Sequence, residues 1–186
     1  MGTALGLELT TDEQLAAQAA REGSDGPAFV ALVDRFRARV WRVCFRLMGN
    51  EADAHDAAQE VFVRLFLHRA RFAGRSKYST WVHGVAVRTC LSLRRSRGRR
   101  QKREHAAPPA HEHPANMPGL SLDLAKMLET LDEEDRAMVI LKYAEEYSYE
   151  ELAEIFDLSV SACKMRVSRA RDKIQREYGG EMKNDE

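Results

Sequence analysis

Apolar residues recur every three or four positions along most of the chain, and this spacing predicts amphipathic α-helices. The stripe over 27–48 comprises Phe29, Leu32, Val33, Phe36, Val40, Trp41, Val43, Cys44 and Leu47. Gly49 and Asn50 then provide a helix stop. The same spacing predicts helices over 51–69 and about 80–95. No stretch alternates persuasively with the period of two that strands require, so the predicted fold class is all-α.

The apolar pattern breaks off between 104 and 118. Residues 104–118 contain four prolines and three histidines without periodicity, which is typical of a linker. Beyond it, Asp132 is placed to cap one helix, and the sequence SYEE beginning at Ser148 is a capping box for another. Asp157 ends that helix, where we expect a positive φ. The interpretation is two small helical domains, with an N-terminal extension (1–26), a first domain (27–103), a flexible linker (104–119), a second domain (120–178) and a tail (179–186).

The net charge is zero, but the charges are strongly segregated along the chain. Residues 64–103 contain thirteen Lys and Arg and no Asp or Glu, whereas 104–157 contain fourteen acids and three bases. Residues 159–178 are basic again, with six bases and two acids. Charge runs are often solvated helix faces. A tract this long would repel itself unless a polyanion lay nearby, so nucleic acid is the expected partner.

A helix-turn-helix pattern occupies 148–178, where a short capped helix and a turn precede a basic helix capped by Ser159 or Ser161. The early residues of such a helix reach base edges in the major groove, while other cations reach phosphates. We expect Ser161, Lys164, Met165 and Ser168 at bases, and Arg166, Arg169 and Arg171 at phosphates. The alternative is a basic amphipathic helix that packs on protein.

Aromatic rings are interleaved with cations over 71–81. A ring can stack on an unpaired base, which contributes roughly 1–3 kcal/mol per base, while cations hold the backbone. We expect Phe72 and Trp81 to be mainly core, so Tyr78 is the better candidate for contact with a base. The basic run over 94–103 either coats duplex phosphates or is a solvated, frayed helix end.

One predicted helix also carries an acidic face. Spacings of three and four residues place Asp53, Asp56 and Glu60 on nearly the same side, with Gln59 beside them. This acidic face would repel phosphate. The face is therefore a candidate binding surface for a positively charged protein. Alternatively, acids in the first turns of a helix simply favour its dipole.

Other chemistry finds little support in the sequence. No catalytic constellation, Walker loop or glycine-rich phosphate cradle occurs, so we expect a binding protein without enzymatic activity or cofactor. Three scattered cysteines are expected to be buried thiols in a reducing compartment: Cys44, Cys90 and Cys163. The three linker histidines have no nearby cysteine, and no metal site is predicted. The other histidines, at positions 55, 68 and 83, are expected to be at the surface or half-buried. Neither a membrane-spanning run nor a secretion signal is evident, so we expect a cytoplasmic protein.

Two ordered motifs on either side of the linker resemble a known family. DAHDAAQEVFVRLF, from Asp53, resembles the DAEDxxQEVF signature of conserved region two in extracytoplasmic-function (ECF) sigma factors. FAGRSKYSTWVHGVAVRTCLSLRR, from Phe72, resembles the segment that follows it. LETLDEEDRAMVILKYAEEYSYEELAEIF and DLSVSACKMRVSRARDKI resemble region four. The resemblance covers about 27–103 and 120–178.

This resemblance implies a sigma factor that binds core RNA polymerase and stabilises melted promoter DNA without covalent chemistry. Asp53, Asp56, Gln59 and Glu60 would contact the clamp helices of the largest polymerase subunit. The residues implied at the minus-ten element are Arg75, Lys77, Tyr78, Ser79, Thr80, Arg88, Arg94 and Arg95. Lys164, Met165, Ser168 and Arg169 would read the minus-thirty-five element as duplex. An anti-sigma partner is also implied.

The chain departs from the family pattern at several positions: His55, Arg88, Ser92, Asp132, Ala162 and Cys163. Arg88 and Met165 leave the promoter sequence open. One alternative is a helix-turn-helix regulator that acts without polymerase, but it assigns no purpose to the acidic face. Another is an interaction module that sequesters a partner and has no salt-dependent affinity for DNA.

Overall fold

The computed structural model describes residues 9–23, 26–104 and 122–178, and within these residues the chain forms helices and no strand. The helices are α1 (Asp12–Ala19), α2 (Pro27–Met48), α3 (Glu51–Leu67), a 3₁₀ turn (Arg69–Arg71), α4 (Tyr78–Glu104), α5 (Leu122–Glu129), α6 (Glu133–Ala144), α7 (Tyr149–Phe156) and α8 (Val160–Tyr178). The all-α prediction is confirmed.

Helix ends follow the capping signals in the sequence. The Asp132 carboxylate accepts a hydrogen bond of 2.8 Å from the backbone N–H of Asp135. Ser148 and Glu151 form the predicted capping box at the start of α7. Gly49 ends α2 with a φ of 85°, a conformation that glycine adopts without steric cost. The cap predictions are confirmed.

The structure extends the predicted helices in three places. Helices α1 and α5 have eight residues each, too short for a clear periodic signal. Helix α4 continues from the predicted end near Arg95 to Glu104. Arg, Lys and Gln are good helix formers, so this basic stretch stays helical without an apolar stripe. The predicted linker beyond Glu104 and the tail from 179 lie outside the described residues.

The core of the first domain lies between α2, α3 and α4, and α1 packs against α2 and α4. Small and branched side chains fill it, including Val40, Val43, Ala57, Val61 and Val82, all 1% exposed or less. Burial of an aliphatic side chain of valine size or larger contributes about 1.5–3 kcal/mol, so this core holds the three long helices together. All three cysteines are buried and unpaired, as predicted.

The second domain is built from α5 to α8. Met138 and Leu141 of α6, Leu152 of α7 and Val167 of α8 are buried in its core. Asp157 has a φ of 55° at the end of α7, and the Leu158 N–H donates to the Ala153 carbonyl at 3.0 Å. The predicted positive φ and the tight turn between the two helices are confirmed.

The two domains also contact each other, which the sequence did not predict. Helix α7 packs against α4, and α6 approaches both α2 and α4. His83 of α4 was expected to be at the surface or half-buried, but it is 3% exposed. That prediction is wrong, because this contact covers the imidazole.

Candidate nucleic-acid and protein interfaces

The acidic face predicted on α3 is present, but its four residues differ in what they contact. Asp53 forms an ion pair with Arg97 of α4 and accepts a 2.7 Å hydrogen bond from the Asn50 amide. The hydrogen bond with Arg97 lowers the pKa of the Asp53 carboxyl, and Asn50 adds to this effect. Glu60 pairs with Arg64 at 2.7 Å, whereas Asp56 and Gln59 are exposed.

An apolar groove of about 750 Å³ lies beside this face, between α2 and α3. Trp41 and Phe45 form one wall, where their rings stack with centroids 5.1 Å apart, and Phe62 lines it from α3. Gln59 also lines the groove, so it joins an acidic face to an apolar surface. Helical periodicity assigns Trp41 to the apolar stripe of 27–48, but periodicity alone does not reveal which stripe positions stay partly open.

The basic and aromatic segment before α4 agrees only in part with its prediction. Arg75 and Lys77 are exposed and Ser79 is half-buried. Tyr78 and Thr80, however, are 2% and 4% exposed. The expectation that these two side chains contact a base is therefore corrected.

Tyr78 is buried because it begins α4 inside a cluster of rings. Its ring meets Phe72 edge-on at 5.1 Å and Phe36 edge-on at 5.6 Å, and it lies 5.5 Å from Trp81. The Tyr78 N–H donates to the Glu13 carboxylate at 3.0 Å. Burial is the main cause that raises the pKa of the Tyr78 phenol. Phe72 and Trp81 stay partly exposed and are the rings left at this surface.

Three arginines predicted to contact DNA lie farther along α4, and each contacts the second domain. Arg88 donates to the Ile155 carbonyl at 3.1 Å. Arg94 donates to Glu133 at 3.2 Å and to the Leu47 carbonyl at 2.7 Å. Arg95 donates to Glu134 at 2.5 Å. The structure brings these cations together on one helix, where protein acceptors hold them.

Helix α8 presents most of its predicted contact residues to solvent. Ser161, Lys164, Met165, Arg169 and Arg171 are exposed, and Ser168 is half-buried. Residues 161, 164, 165 and 168 follow a spacing of three and four, so they lie on one side of the helix. Lys164 Nζ also lies 5.7 Å from the centroid of the Tyr149 ring.

Arg166 is the exception on α8. Its Nε donates to the Asp135 carboxylate at 2.6 Å, and its Nη1 donates to Glu134 at 3.2 Å. The side chain therefore ties α8 to the acidic first turn of α6. Its contact with phosphate stays a prediction, while in this structure the guanidinium is directed at carboxylates of its own domain.

Neither a metal-ligand cluster nor a membrane-spanning helix occurs in the described part of the chain. Among residues 9–23, 26–104 and 122–178, no cluster of three His, Cys, Asp or Glu could hold a metal ion. The linker histidines lie outside those ranges. Over the same ranges, no helix has the length and apolar character to cross a membrane.

Two protein-family models match the chain. Sigma-70 region 2 matches residues 32–100, and Sigma-70, region 4 matches residues 121–174. "ECF RNA polymerase sigma factor SigW" of Bacillus subtilis is 28% identical over 170 residues, which cover 82% of this chain and 90% of the relative. SigE of Mycolicibacterium smegmatis, also named an ECF RNA polymerase sigma factor, is 32% identical over 159 residues, 80% of this chain and 61% of SigE.

Solved structures share the same fold. CnrH in complex with the cytosolic domain of CnrY aligns with a TM-score of 0.65 and 25% identity over 91% of this chain and 97% of CnrH. The sigma factor RpoE, in complex with the anti-sigma factor NepR from Bartonella quintana, aligns with a TM-score of 0.63 and 24% identity, covering 85% and 98% of the two chains. The RpoE similarity extends to the fold alone.

Proposed function

This chain belongs to the ECF group of RNA polymerase sigma factors, and we propose that its two domains divide promoter recognition between separated and paired strands. As a sigma factor, it binds core RNA polymerase and directs transcription initiation at particular promoters. The proposed domains are 27–103 for region two and 120–178 for region four. Their action is non-covalent, because binding to melted DNA by itself stabilises the open strands.

The first domain is proposed to contact polymerase through α3. Asp56 and Gln59 are exposed and adjacent on that helix, so they are the residues best placed for a cationic clamp helix. Asp53 and Glu60 contribute charge to the same face, although each already pairs with an arginine. The apolar groove beside Gln59 adds surface that a packed partner helix would cover.

Recognition of the minus-ten element is proposed for the segment leading into α4 and for α4 itself. Arg75 and Lys77 supply exposed cations, and Ser79 supplies a half-buried hydroxyl. The partly exposed Phe72 and Trp81 rings take the stacking role first expected of Tyr78. The cations of α4 proposed to follow the DNA backbone are Arg88, Arg94 and Arg95.

The second domain is proposed to read the minus-thirty-five element as duplex. A single helix fits the major groove, and α8 follows a tight turn in the manner of a recognition helix. Ser161, Lys164, Met165 and Ser168 form the side proposed to face base edges. Arg169 and Arg171 are proposed to contact phosphates.

The proposal also covers where the protein acts and which other protein binds it. We place the protein in the cytoplasm, where core polymerase and the chromosome are found. An anti-sigma partner is proposed as well, because the family resemblance implies one and CnrH, which has a similar fold, was solved with a domain of CnrY. A regulator that binds duplex DNA without polymerase is the competing function, which the acidic face on α3 disfavours.

The observation that carries the proposal is the presence, on one chain, of an exposed acidic α3 face and an exposed basic α8. Transcription in vitro with purified core polymerase and a promoter library tests it. We expect this protein to produce transcripts that core alone does not, from promoters that share two spaced elements. Binding to duplex DNA with neither polymerase binding nor transcription would replace the proposal by the competing regulator.

A further inference from the structure

Helix α1 lies before the residues that match region 2, which begin at residue 32, yet it packs against α2, α4 and the 3₁₀ turn. Its apolar side is buried through Leu15, Ala16 and Ala19. Asp12 also pairs with Arg35 of α2 at 2.7 Å. The predicted N-terminal extension therefore contains a helix that is fixed to the first domain, and the sequence assigned no role to it.

The Glu13 carboxylate of α1 caps the N-terminus of α4. It accepts a hydrogen bond of 3.0 Å from the backbone N–H of Tyr78, the first residue of that helix. The N–H groups of a first helical turn have no partner within the helix, and the side chain of the N-cap residue often accepts from one of them. The N-cap residue here is Lys77, whose carbonyl accepts the Trp81 N–H at 3.2 Å and whose ammonium has no acceptor atom. Glu13 therefore supplies the missing acceptor, and its charge favours this end of the helix dipole.

Arg69 makes a contact of the same kind at the other end of α1. Its Nε donates to the carbonyl of Ala19, the last residue of α1, at 3.1 Å, and its Nη1 donates to the Phe66 carbonyl at 2.8 Å. The guanidinium carbon lies 4.2 Å from the centroid of the Phe66 ring. A cation at the C-terminal end of a helix can bind its free carbonyls and favours its dipole. The 3₁₀ turn that begins at Arg69 is therefore fixed to the C-terminal end of α1.

The segment 70–77 lies between these two anchors, and most of its residues are exposed. It carries Arg75 and Lys77, the two exposed cations proposed to contact the minus-ten element. Ala19 follows Glu13 by six positions in α1, a distance of about 9 Å along the helix axis. One helix therefore holds both ends of the segment at a fixed separation, while the middle of the segment is open to solvent.

We propose that α1 positions the segment 70–77 for minus-ten recognition and that Glu13 is its main positioning residue. By fixing the first turn of α4 and the 3₁₀ turn, α1 holds the cations of this segment and the Trp81 ring in the arrangement that binds separated strands. A segment whose ends are already fixed loses less conformational freedom when it binds DNA. The part of this inference that concerns DNA rests on the proposed function, whereas the anchoring of the segment does not.

Tryptophan fluorescence tests the anchoring without DNA or polymerase. The chain has two tryptophans, so Trp81 is the only one in a Trp41→Phe background. The centroid of its ring lies 5.5 Å from that of Tyr78, so its environment reports on the first turn of α4. We expect acrylamide to quench Trp81 more strongly in Glu13→Ala than in the parent chain, because this turn loosens. Glu13→Gln should stay close to the parent, since its amide oxygen still accepts a hydrogen bond.

Glu22→Ala is the matched control, because Glu22 caps a different helix in the same way. Its carboxylate accepts from the Ala28 N–H at 3.0 Å, in the first turn of α2. The substitution keeps the Glu22 carbonyl, which accepts from Arg69 at 3.3 Å. A thermal melt followed by circular dichroism identifies variants that have lost their fold. Unchanged quenching in a folded Glu13→Ala variant, or an equal rise in Glu22→Ala, would overturn the proposed anchoring.

A second background tests whether Glu13 acts through the cap of α4. Lys77→Ser places a hydroxyl acceptor at the N-cap position, where serine is strongly preferred. The increase in quenching caused by Glu13→Ala should therefore be much smaller in this background than in the parent chain. An undiminished increase would show that Glu13 acts through another contact, and its role as a cap would be wrong.

Binding of separated strands is measured with the full chain bound to core polymerase. The probe is a promoter from the transcription library with mismatched strands across its minus-ten element. Glu13→Ala should weaken binding of this probe about fivefold, because loss of a helix cap lowers the fraction of binding-competent chains by about that factor. Glu22→Ala and Glu13→Gln should bind it as the parent does, and all three variants should keep their binding to core.

Two outcomes separate this inference from the proposed function. Parental binding of the probe by Glu13→Ala, together with stronger quenching of Trp81, would overturn the role of α1 in promoter recognition. A parent chain that gives no transcript with core polymerase would instead remove the proposed function, and the quenching experiment would still decide whether α1 anchors the segment 70–77.

Discussion

Side chains of similar chemistry that lie close together in this chain have different roles. The contacts that each side chain makes determine its role. Arg166 and Arg169 lie three positions apart on α8. Arg166 pairs with Asp135 and Glu134, whereas Arg169 is exposed. In the same way, Tyr78 is part of the core while Trp81 keeps an exposed portion. Substitutions at such pairs separate stability from DNA binding.

Arg166→Ala should lower the free energy of unfolding by about 1–2 kcal/mol, because it leaves a partly buried acidic cluster on α6 without its cation. Arg169→Ala should change stability by less than about 0.5 kcal/mol. It should instead weaken duplex binding by the polymerase complex and reduce the salt dependence of that binding. Urea unfolding and a filter-binding titration measure the two effects. A stable Arg166→Ala variant with lost DNA binding would reverse our assignment.

His83 should make stability depend on pH. Burial, with smaller contributions from Arg39 and Arg42, lowers the pKa of the imidazole from 6.5 to about 4. The unfolded chain therefore takes up the proton first, so this contribution to stability is complete above about pH 6.5 and is lost as the pH falls towards 4. At 1.36 kcal/mol per pKa unit, the loss is about 3 kcal/mol.

Urea unfolding at several pH values between these limits checks this expectation in His83→Gln. The variant should lose much less stability than the parent chain as the pH falls, because its amide does not titrate. His55→Gln, on an exposed position of α3, should keep the parental slope. A parental slope in His83→Gln would show that other groups control the acid sensitivity.

At the scale of elements, the connection between α6 and α7 positions much of the second domain. Glu146 has a φ of 58°, and the Tyr147 N–H donates to the Leu141 carbonyl at 3.1 Å. The left-handed residue after the helix turns the chain back, so that the next N–H reaches a carbonyl of the last helical turn. The turn leads directly to the Ser148 cap of α7 and directs Tyr147 towards α4.

Glu146→Gly should raise the free energy of unfolding by about 0.5–1 kcal/mol. The left-handed conformation costs an L-residue about 1–2 kcal/mol, only part of which is offset by the greater freedom of unfolded glycine. Glu150→Gly, in the first turn of α7, should have the opposite sign and lower stability, because glycine is a poor helix former. Thermal or urea unfolding of the two variants compares them, and equal effects would contradict this account of the turn.

At the scale of the whole molecule, the segregated charges compensate each other through folding. The basic tract over 64–103 and the acidic segment over 104–157 meet where α4 approaches α6 and α7. Arg94 and Arg95 pair there with Glu133 and Glu134. Carboxylates of the second domain therefore neutralise part of the positive charge of the first domain.

The proposed division of labour predicts opposite effects at two distant positions. Asp56→Arg on α3 should weaken binding to core polymerase by at least about tenfold, because it sets a cation against a cationic clamp helix. Lys164→Ala on α8 should leave core binding unchanged and weaken promoter binding by about 1–3 kcal/mol. Core pull-down and a promoter mobility shift with the assembled complex measure both. Parallel losses in the two assays would contradict the division.

Features that depend on near neighbours in the chain were predictable from the residues. Helix periodicity, the caps at Asp132 and Ser148, and the turn at Asp157 all follow from interactions within about five positions. The two family motifs are also local features, and they indicated the family. The absence of a predicted strand indicated the all-α class.

Contacts between residues far apart in the chain depended on the tertiary structure. Tyr78 is buried by packing against Phe36, and Arg42 pairs with Glu145 across 103 positions. A sequence pattern shows that a side chain is aromatic or charged, but the partner that buries or neutralises it is set by how the helices pack. For that reason the contact between the two domains could be identified only in the folded molecule.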